Sequence, residues 1–440
     1  MMDRIHDRLD RYMRVWEEAG QFSGTVLVAQ GEQVLLHQGY GFANLEFEVP
    51  NTASTIYRIA SITKLFTAAA VLQLHDQGKL ALEEGLAAYV PEYKHGREIT
   101  LHHLLCHASG IPDYTALPEY TTRIKLSPEV IIQWLNDYPP PCEPGKRTEK
   151  SNSNYVLLAR IVEQVSGMSI EEYFNKNLFG PADLERTGVC RNEDVIAGMA
   201  GGYSVSGEGA VHGDYYEMTG AYGSGFLYST AGDLLQWIKA LGSGQIISGA
   251  SYSRMTSPYG FMTYLGAYAG YGCLIKGSPA EEWVMDGNIH GYTCTVHHLL
   301  LEDSTVIVLA NNDAVPVNRI QKGLAGLLAG KEPDMPINSS RLLAGQAELY
   351  KHLAGKYVFS PMGWEFTVSW EEGELRVDRL FIQQARRKRF PLRLVSVESG
   401  IVLFVCAVCD STFVFRLEED GSCRRVEYVF DTLRLVYGKV

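Results

Sequence analysis

The serine and lysine of the segment Ser61-Ile62-Thr63-Lys64 form the only S-x-x-K pattern in the chain. Apolar periodicity predicts a helix over residues 61–77, so the serine stands at the helix start, near free backbone N–H groups. Residues three apart share one helix face, and a desolvated lysine can take the proton of a nearby hydroxyl. The pattern predicts Ser61 as nucleophile and Lys64 as base. The alternative is a helix-capping serine beside a solvated lysine.

The elements that must position this pair come from both ends of one domain. A helix is predicted over residues 3–18, and a hairpin of two strands over 24–29 and 33–37. Further elements are a helix over 153–166 and two strands over 293–301 and 304–310. These patterns predict a single sheet built from both chain ends, flanked by helices, in a domain of residues 1–332.

The residues beyond this domain follow a different pattern. Residues 333–345, which include Pro333, Pro336 and Asn338, are typical of a linker. From residue 346 to 440, short runs of alternating polarity are separated by turns, which predicts a small all-β barrel or sandwich.

Composition excludes several classes of protein. Hydrophobic residues make up 46% of the 440 residues and charged residues 20%, which is ordinary for a globular protein. The net charge of −12 argues against nucleic acid and against an anionic membrane as partners. No apolar run reaches the ~18 residues of a membrane-spanning helix.

Cysteine usage and the first residues of the sequence favour a cytoplasmic location. The eight cysteines are scattered, as is typical of reduced thiols, and residues 1–8 are charged without an apolar segment. A chain whose export signal has been trimmed stays the alternative. Cys406 and Cys409 form a C-x-x-C pattern in an apolar, strand-like run with no second pair and no adjacent histidine. We interpret them as structural thiols, with a metal or redox role as the alternative. No metal or organic cofactor is predicted, because no zinc-like spacing occurs.

Several segments carry a resemblance that extends far beyond S-x-x-K. Residues 57–67 (YRIASITKLFT) resemble the active-serine segment of the serine β-lactamase and penicillin-binding-protein superfamily. Residues 99–114 (ITLHHLLCHASGIPDY) are similar to its HLLTHTSGLPDY stretch, and residues 229–234 (STAGDL) to its STAEDL helix start. Residues 40–44 (YGFAN) look like the turn before the serine. The resemblance covers about residues 15–315 and is to the class C branch, which includes D-aminopeptidases and family VIII esterases.

This resemblance implies a fold and a chemistry. The fold is a mixed α/β (α+β) one: an antiparallel sheet flanked by helices, plus a helical lobe, with the serine in the cleft between them. Residues 346–440 resemble the lipocalin-like β-domain often appended to this branch. The chemistry is acyl transfer through an acyl-enzyme on Ser61. The backbone N–H groups of Ser61 and Asn288 are the implied oxyanion hole.

The chain departs from the family at its second motif, Tyr-x-Asn. Alignment by the flanking Pro-Gly and Asn-Tyr-Val-Leu-Leu places Asn152 at the asparagine, which contacts substrate in the family, and Lys150 at the tyrosine. A literal Tyr-x-Asn begins at Tyr173, but it falls in a helix-like run, and we predict that Tyr173 is a packing residue.

The third motif departs as well. In this branch it is H-x-G-x-x-P-G-F on the edge strand of the sheet, and here it is Met285-Asp286-Gly287-Asn288-Ile289-His290-Gly291-Tyr292. Both glycines and the aromatic residue fit. Met285 stands where the family has a cation, and His290 where it has proline. His290 is either a binding group at the cleft mouth or a solvated loop histidine.

Two interpretations of these departures stay open. In the first, Lys150 works in the site: two ammonium groups repel, so at least one pKa falls and a neutral amine can act as base. In the second, Lys150 is idle or substituted, and the site binds but turns over poorly.

The sequence thus predicts a serine hydrolase acting on an ester or amide, with a small molecule or short peptide as its substrate. An acyltransferase and a catalytically impaired binding or sensor protein are the alternatives. The substrate candidates are small esters, D-amino-acid amides or peptides, and a biosynthetic acyl acceptor. The oligomeric state stays open.

Overall fold

A computed structural model describes residues 2–206, 209–277, 280–336, 347–360, 364–379, 388–398, 400–406, 411–430 and 433–440. Most of the predicted linker, residues 337–345, and Cys409 of the C-x-x-C pattern lie outside these ranges. The helices in the described ranges are α1 (Met2–Glu18), α2 (Thr63–Asp76), α3 (Leu101–Leu105), α4 (Pro128–Leu135), α5 (Asn152–Ser166), α6 (Ile170–Phe174), α7 (Ala231–Gly242), α8 (Gly249–Met255) and α9 (Val317–Leu328).

The strands before the linker build the sheets of the first domain. They are β1 (Gly24–Gln30), β2 (Gln33–Tyr40), β3 (Phe42–Asn44), β4 (Val49–Pro50), β5 (Tyr57–Arg58), β6 (Gly188–Val189), β7 (Tyr203–Ser206), β8 (Gly209–His212), β9 (Leu227–Ser229), β10 (Phe261–Met262), β11 (Ala267–Ala269), β12 (Leu274–Lys276), β13 (Glu282–Ile289), β14 (Tyr292–Leu299) and β15 (Ser304–Ala310).

The strands after the linker are β16 (Gly355–Phe359), β17 (Trp364–Glu371), β18 (Glu374–Arg379), β19 (Lys388–Glu398), β20 (Ile401–Cys406), β21 (Ser411–Leu417), β22 (Cys423–Phe430) and β23 (Leu433–Lys439).

The central antiparallel sheet joins the two ends of the first domain. Its strand order is β10-β11-β12-β13-β14-β15-β1-β2. Strand β1 lies against β15 in the register Gly24 to Ala310. The predicted single sheet made from both termini is therefore confirmed.

Period-two alternation in β1 gives the sheet two buried faces. Val26 and Val28 pack with Trp16 of α1 and Ile320 of α9. Leu27 and Ala29 face the larger core that holds α2, α5 and α7. The sheet is thus covered by two terminal helices on one side and by the helical lobe on the other.

Strand β13, which carries the third motif, is not an edge strand, and that part of the expectation is wrong. It pairs along its whole length with β14 and, through residues 282–284, with the short strand β12. Residues 285–289 face no strand on the β12 side in the described part of the chain. The 3₁₀ turn Ala60–Ile62 packs there instead, because Gly287 lets it approach.

The second domain is a closed eight-stranded barrel, β16 to β23, so the barrel alternative is confirmed over the sandwich. Its interior is filled by aromatic side chains, among them Phe366, Phe413 and Tyr428. Val205 and Ala314 of the first domain pack against this cluster. No helix among the described residues is both long and apolar enough to cross a membrane.

Candidate active site

Ser61 lies in a strained turn at the entrance to α2. Strand β5 is held by β9, and the amide of Ile59 donates to the carbonyl of Leu227 at 3.0 Å. Ala60 then takes a φ of +45°, a region that non-glycine residues rarely occupy and that concentrates at functional sites. The turn presents Ser61 with 9% of its surface exposed.

Helix α2 explains why Lys64 is away from water. Every residue from Thr63 to Leu72 is buried, as expected for a helix that is apolar on all sides and central to its domain. Phe66 stacks on Trp237 of α7 at 4.2 Å between ring centroids. Lys64 itself has no exposed surface, so its amine depends on protein partners.

The amine of Lys64 contacts three oxygen atoms. Its Nζ lies 3.0 Å from Ser61 Oγ, 2.8 Å from Asn152 Oδ1 and 2.7 Å from the Ser224 carbonyl oxygen. The structure therefore brings Ser61, Lys64 and Asn152 together as the sequence predicts. Burial lowers the pKa of Lys64 well below its ordinary value; the charge of Lys150 adds to this, and Asp113 opposes it.

Asn152 begins α5 and is held by a residue that the sequence analysis assigned no role. Its backbone amide and its Nδ2 both donate to Asp113 Oδ2, at 3.1 and 2.9 Å. Asp113 caps a 3₁₀ turn, Tyr114–Ala116, and sits 39 residues before Asn152. No local spacing marks this pair, although Asp113 falls within the HLLTHTSGLPDY-like segment.

Lys150 lies near the same centre, and His107 fixes the backbone on both sides of it. The amide of Glu149 donates to the His107 carbonyl at 3.0 Å, and the amide of Ser151 to His107 Nδ1 at 3.3 Å. The side chain of Lys150 is half-buried. Desolvation lowers its pKa, while Asp286 and Asp113 act in the opposite direction. Lys150 also lowers the pKa of His107, after burial and Lys64.

Strand β13 closes the site opposite Ser61. A Cβ atom on Gly287 would lie 2.1 Å from the Ile59 carbonyl oxygen, so only glycine permits this approach. The residues at the ends of the two-residue turn, Ile289 and Tyr292, form a ladder pair. In a two-residue hairpin these flanking residues form a hydrogen-bonded pair, and hydrogen-bonded and non-hydrogen-bonded pairs alternate along the ladder. The next pair, Asn288 with Thr293, is therefore non-hydrogen-bonded, so the Asn288 amide points away from β14.

Two third-motif side chains, Met285 and His290, are buried. Met285 is buried in the main core, so no cation occupies that position. His290 is only 4% exposed, and the solvated-loop interpretation is therefore wrong. Its Nδ1 lies 3.2 Å from the Asp214 carbonyl oxygen and its ring packs edge-on against Tyr216.

Two further expectations concern Tyr173 and metal ligands. Tyr173 is buried in α6 and donates to Gln73 Oε1 at 2.9 Å, which confirms that it is a packing residue. Among the described residues, no group of three or more His, Cys, Asp and Glu side chains could hold a metal ion.

Comparison with known proteins shows the family to which the chain belongs. The profile of the Beta-lactamase family matches residues 9–331. Penicillin-binding protein 4* of Bacillus subtilis (strain 168) is 29% identical over 435 residues, 92% of this chain and 94% of that protein.

Two further relatives extend the comparison. The teichoic acid D-alanine hydrolase of Staphylococcus aureus (strain MRSA252) is 25% identical over 310 residues, 70% of this chain and 74% of that protein. The octameric penicillin-binding protein homologue from Pyrococcus abyssi superposes with a TM-score of 0.67 at 25% identity, covering 98% of this chain and 99% of that one. The chain therefore belongs to the Beta-lactamase family.

Proposed function

We propose that this protein hydrolyses an ester or amide through an acyl-enzyme on Ser61. The contact between Lys64 Nζ and Ser61 Oγ, 3.0 Å long and buried, carries the proposal. A base must be within hydrogen-bond reach of the proton that it removes and must be unprotonated. The burial that lowers the pKa of Lys64 supports the second condition.

The acylation step follows from the placement of these groups. Neutral Lys64 accepts the Ser61 proton as Oγ attacks the substrate carbonyl carbon. The negative charge that develops on the carbonyl oxygen is stabilised by the backbone N–H groups of Ser61 and Asn288. The proton then passes to the leaving alcohol or amine as its bond to the carbonyl carbon breaks.

Deacylation uses the same groups in reverse. A water molecule attacks the acyl carbon, its proton goes to an amine of the site, and Ser61 Oγ leaves with a proton. If an alcohol or amine replaces water, the same step is acyl transfer. The acyltransferase alternative therefore differs in the acceptor and not in the site residues.

Lys150 is the third catalytic residue of the proposal. Its charge lowers the pKa of Lys64, which favours the neutral base. As an ammonium group, it also donates a proton to the leaving group. Because Met285 is uncharged and β13 contains no lysine or arginine, the strand adds no third cation beside the two lysines.

The substrate class is proposed from the relatives. Their printed names include a penicillin-binding protein and a teichoic acid D-alanine hydrolase. We propose small esters, or D-amino-acid esters, amides and short peptides, as substrates of this chain. His290, which follows β13 directly, stays a proposed binding residue. It acts through its ring contact with Tyr216.

The compartment is proposed from the cysteines. Six cysteines form no disulfide, which supports a reducing, cytoplasmic environment: Cys106, Cys142, Cys190, Cys273, Cys294 and Cys423.

The first prediction tests the nucleophile. A fluorophosphonate probe should add covalently to Ser61, because the buried amine of Lys64 activates its hydroxyl. Ser61→Ala should abolish both the mass increase in intact mass spectrometry and the hydrolysis of a p-nitrophenyl ester.

Ser151→Ala is the matched control. Ser151, the residue before α5, is also a buried serine, and its replacement leaves Ser61 in place. It should keep the adduct. Labelling that persists in Ser61→Ala would contradict the assignment. Tight reversible binding of a substrate without any adduct in the unmodified chain would favour the sensor alternative.

A further inference from the structure

The two carboxylate oxygen atoms of Asp113 bind different residues: one accepts hydrogen bonds from Asn152 and the other from Thr115. Oδ2 accepts both the backbone amide and the Nδ2 of Asn152, at 3.1 and 2.9 Å. Oδ1 accepts the backbone amide and the hydroxyl of Thr115, at 3.0 and 2.8 Å. Four donors thus fix the carboxylate, and the carboxylate fixes Asn152.

The hydrogen bonds from Asn152 to Asp113 determine which end of the Asn152 side-chain amide faces Lys64. An amide side chain has a donor end and an acceptor end. With Nδ2 committed to Asp113, Oδ1 points at Lys64 Nζ, 2.8 Å away. A reversed amide would place an NH₂ group against the amine of Lys64 and an oxygen atom against the Asp113 carboxylate.

We infer that Asp113 is a positioning residue for the Lys64 base, acting through the amide orientation of Asn152 and through its own negative charge. This inference rests on the proposed function, because it assigns a task in the same reaction. It explains how a lysine pair can be tolerated in a buried site: Asp113 lies near both lysines and offsets part of their repulsion.

The expected pH dependence follows from the groups around Lys64. Lys150 precedes α5 and lowers the pKa of Lys64, whereas Asp113 raises it. His107 packs nearby, and burial lowers its pKa, so it stays uncharged at neutral pH. The ring of Tyr155, 5.6 Å from Nζ, carries no charge at neutral pH, because burial raises its pKa.

Replacing Asp113 with asparagine removes the charge and keeps the size of the side chain. The pKa of Lys64 should fall, so its neutral form should appear at lower pH. In a plot of log kcat/KM against pH, the rising acid limb should move to lower pH. The plateau should drop on the order of tenfold or more, because asparagine has one acceptor oxygen where the carboxylate has two, so two of the four hydrogen bonds lose their acceptor.

The experiment measures p-nitrophenyl ester hydrolysis and fluorophosphonate labelling across pH 5–10 for the full chain, Asp113→Asn and Thr115→Val. Thr115→Val removes one donor to Oδ1 and leaves the Asn152 contacts, so its acid limb should stay in place. Asp113→Asn should shift the limb in both assays. A lower plateau with an unmoved limb would mean a merely structural role and would overturn the inference.

NMR with isotope-labelled lysine separates this inference from the proposed function. The Lys64 signal, identified by its loss in Lys64→Met, should titrate at lower pH in Asp113→Asn than in the unmodified chain. An unmodified chain that neither turns over nor forms an adduct contradicts the proposed function. An unmoved Lys64 titration contradicts the inference about Asp113, whatever the activity.

Discussion

At the residue scale, the site depends on the complete burial of the Lys64 side chain. A charged amine has three hydrogen atoms, and Lys64 meets three oxygen atoms, one each from Ser61, Asn152 and Ser224. A neutral amine keeps two of these contacts as a donor and turns its lone pair to Ser61. The same geometry therefore serves both protonation states, as a base that gains and loses a proton requires.

The second prediction concerns Lys150. If it works in the reaction, Lys150→Met should lower kcat/KM by ~10²–10⁴-fold, the usual scale of general acid–base catalysis. Lys150→Tyr should retain or increase turnover, because it restores the family pattern. The activity of the unmodified chain should rise with pH as a lysine amine loses its proton, since the pKa values of Lys64 and Lys150 are both lowered. The measurement is p-nitrophenyl ester hydrolysis across pH 6–10.

An idle Lys150 gives a different pair of results. Lys150→Met would then be nearly neutral, and Lys150→Tyr would create activity from almost none. Lys146→Met serves as control, because Lys146 is an exposed lysine on the same loop and should have no effect. An unchanged rate in Lys150→Met would end the case for Lys150 as a catalytic residue.

The sequence was sufficient to locate the groups of the site that carry a local pattern. Ser61 and Lys64 share one helical turn, and Asn152 follows from the flanking residues. Ser224 contributes a backbone carbonyl from 160 residues away, and a carbonyl has no residue type to recognise. The burial of His290 depends on Asp214 and Tyr216, which only the folded chain brings to it.

At the element scale, the close contact between β13 and the turn before α2 is the critical one. It brings the part of β13 that carries Asn288 close to the turn that carries Ser61, and it exists because Gly287 has no side chain. The predicted elements were confirmed with shifts of a few residues: β2 runs to Tyr40 rather than residue 37, and a 3₁₀ turn precedes α2. Strands β10 to β12 have two or three residues each, too few for a period to show in the sequence.

The third prediction tests this contact. In Gly287→Ala, the new Cβ atom would clash with the Ile59 carbonyl oxygen and push β13 away from Ser61. The Asn288 donor would move out of reach, so kcat/KM should fall ~10²–10³-fold, the effect of losing one oxyanion donor. Ester kinetics and the melting temperature should be measured together.

Gly249→Ala is the matched control, because a Cβ atom there meets nothing within 4 Å. It should leave the kinetics unchanged. A Gly287→Ala protein with full activity would show that the amide of Asn288 is not part of the oxyanion hole.

At the scale of the whole molecule, the two domains are joined by a segment that begins on the first domain. The Tyr12 hydroxyl donates to the Asp334 carbonyl, and Arg319 donates to the carbonyl of Met335. The chain is therefore fixed to the first domain up to residue 335. The sequence predicted two domains but could not choose between barrel and sandwich, because both produce the same alternation of polarity.

The fourth prediction is that residues 1–335 fold without the barrel. The central sheet and its covering helices are complete at α9, so the shortened chain should keep a cooperative melting transition and ester hydrolysis within about tenfold of the full chain. It should bind more of a hydrophobic dye, since Val205 and Ala314 lose their cover. A molten or insoluble product, under conditions that keep the full chain native, would place the boundary elsewhere.

The pairing of β1 with β15 also determines when, during synthesis, the central sheet can fold. Gly24 pairs with Ala310, so nearly three hundred more residues must be synthesised before β1 and β15 can pair. Contacts so distant along the chain make folding slow. Ser61 emerges early, yet its oxyanion hole needs β13 beside it. Nascent chains shorter than about 310 residues should therefore not react with a fluorophosphonate.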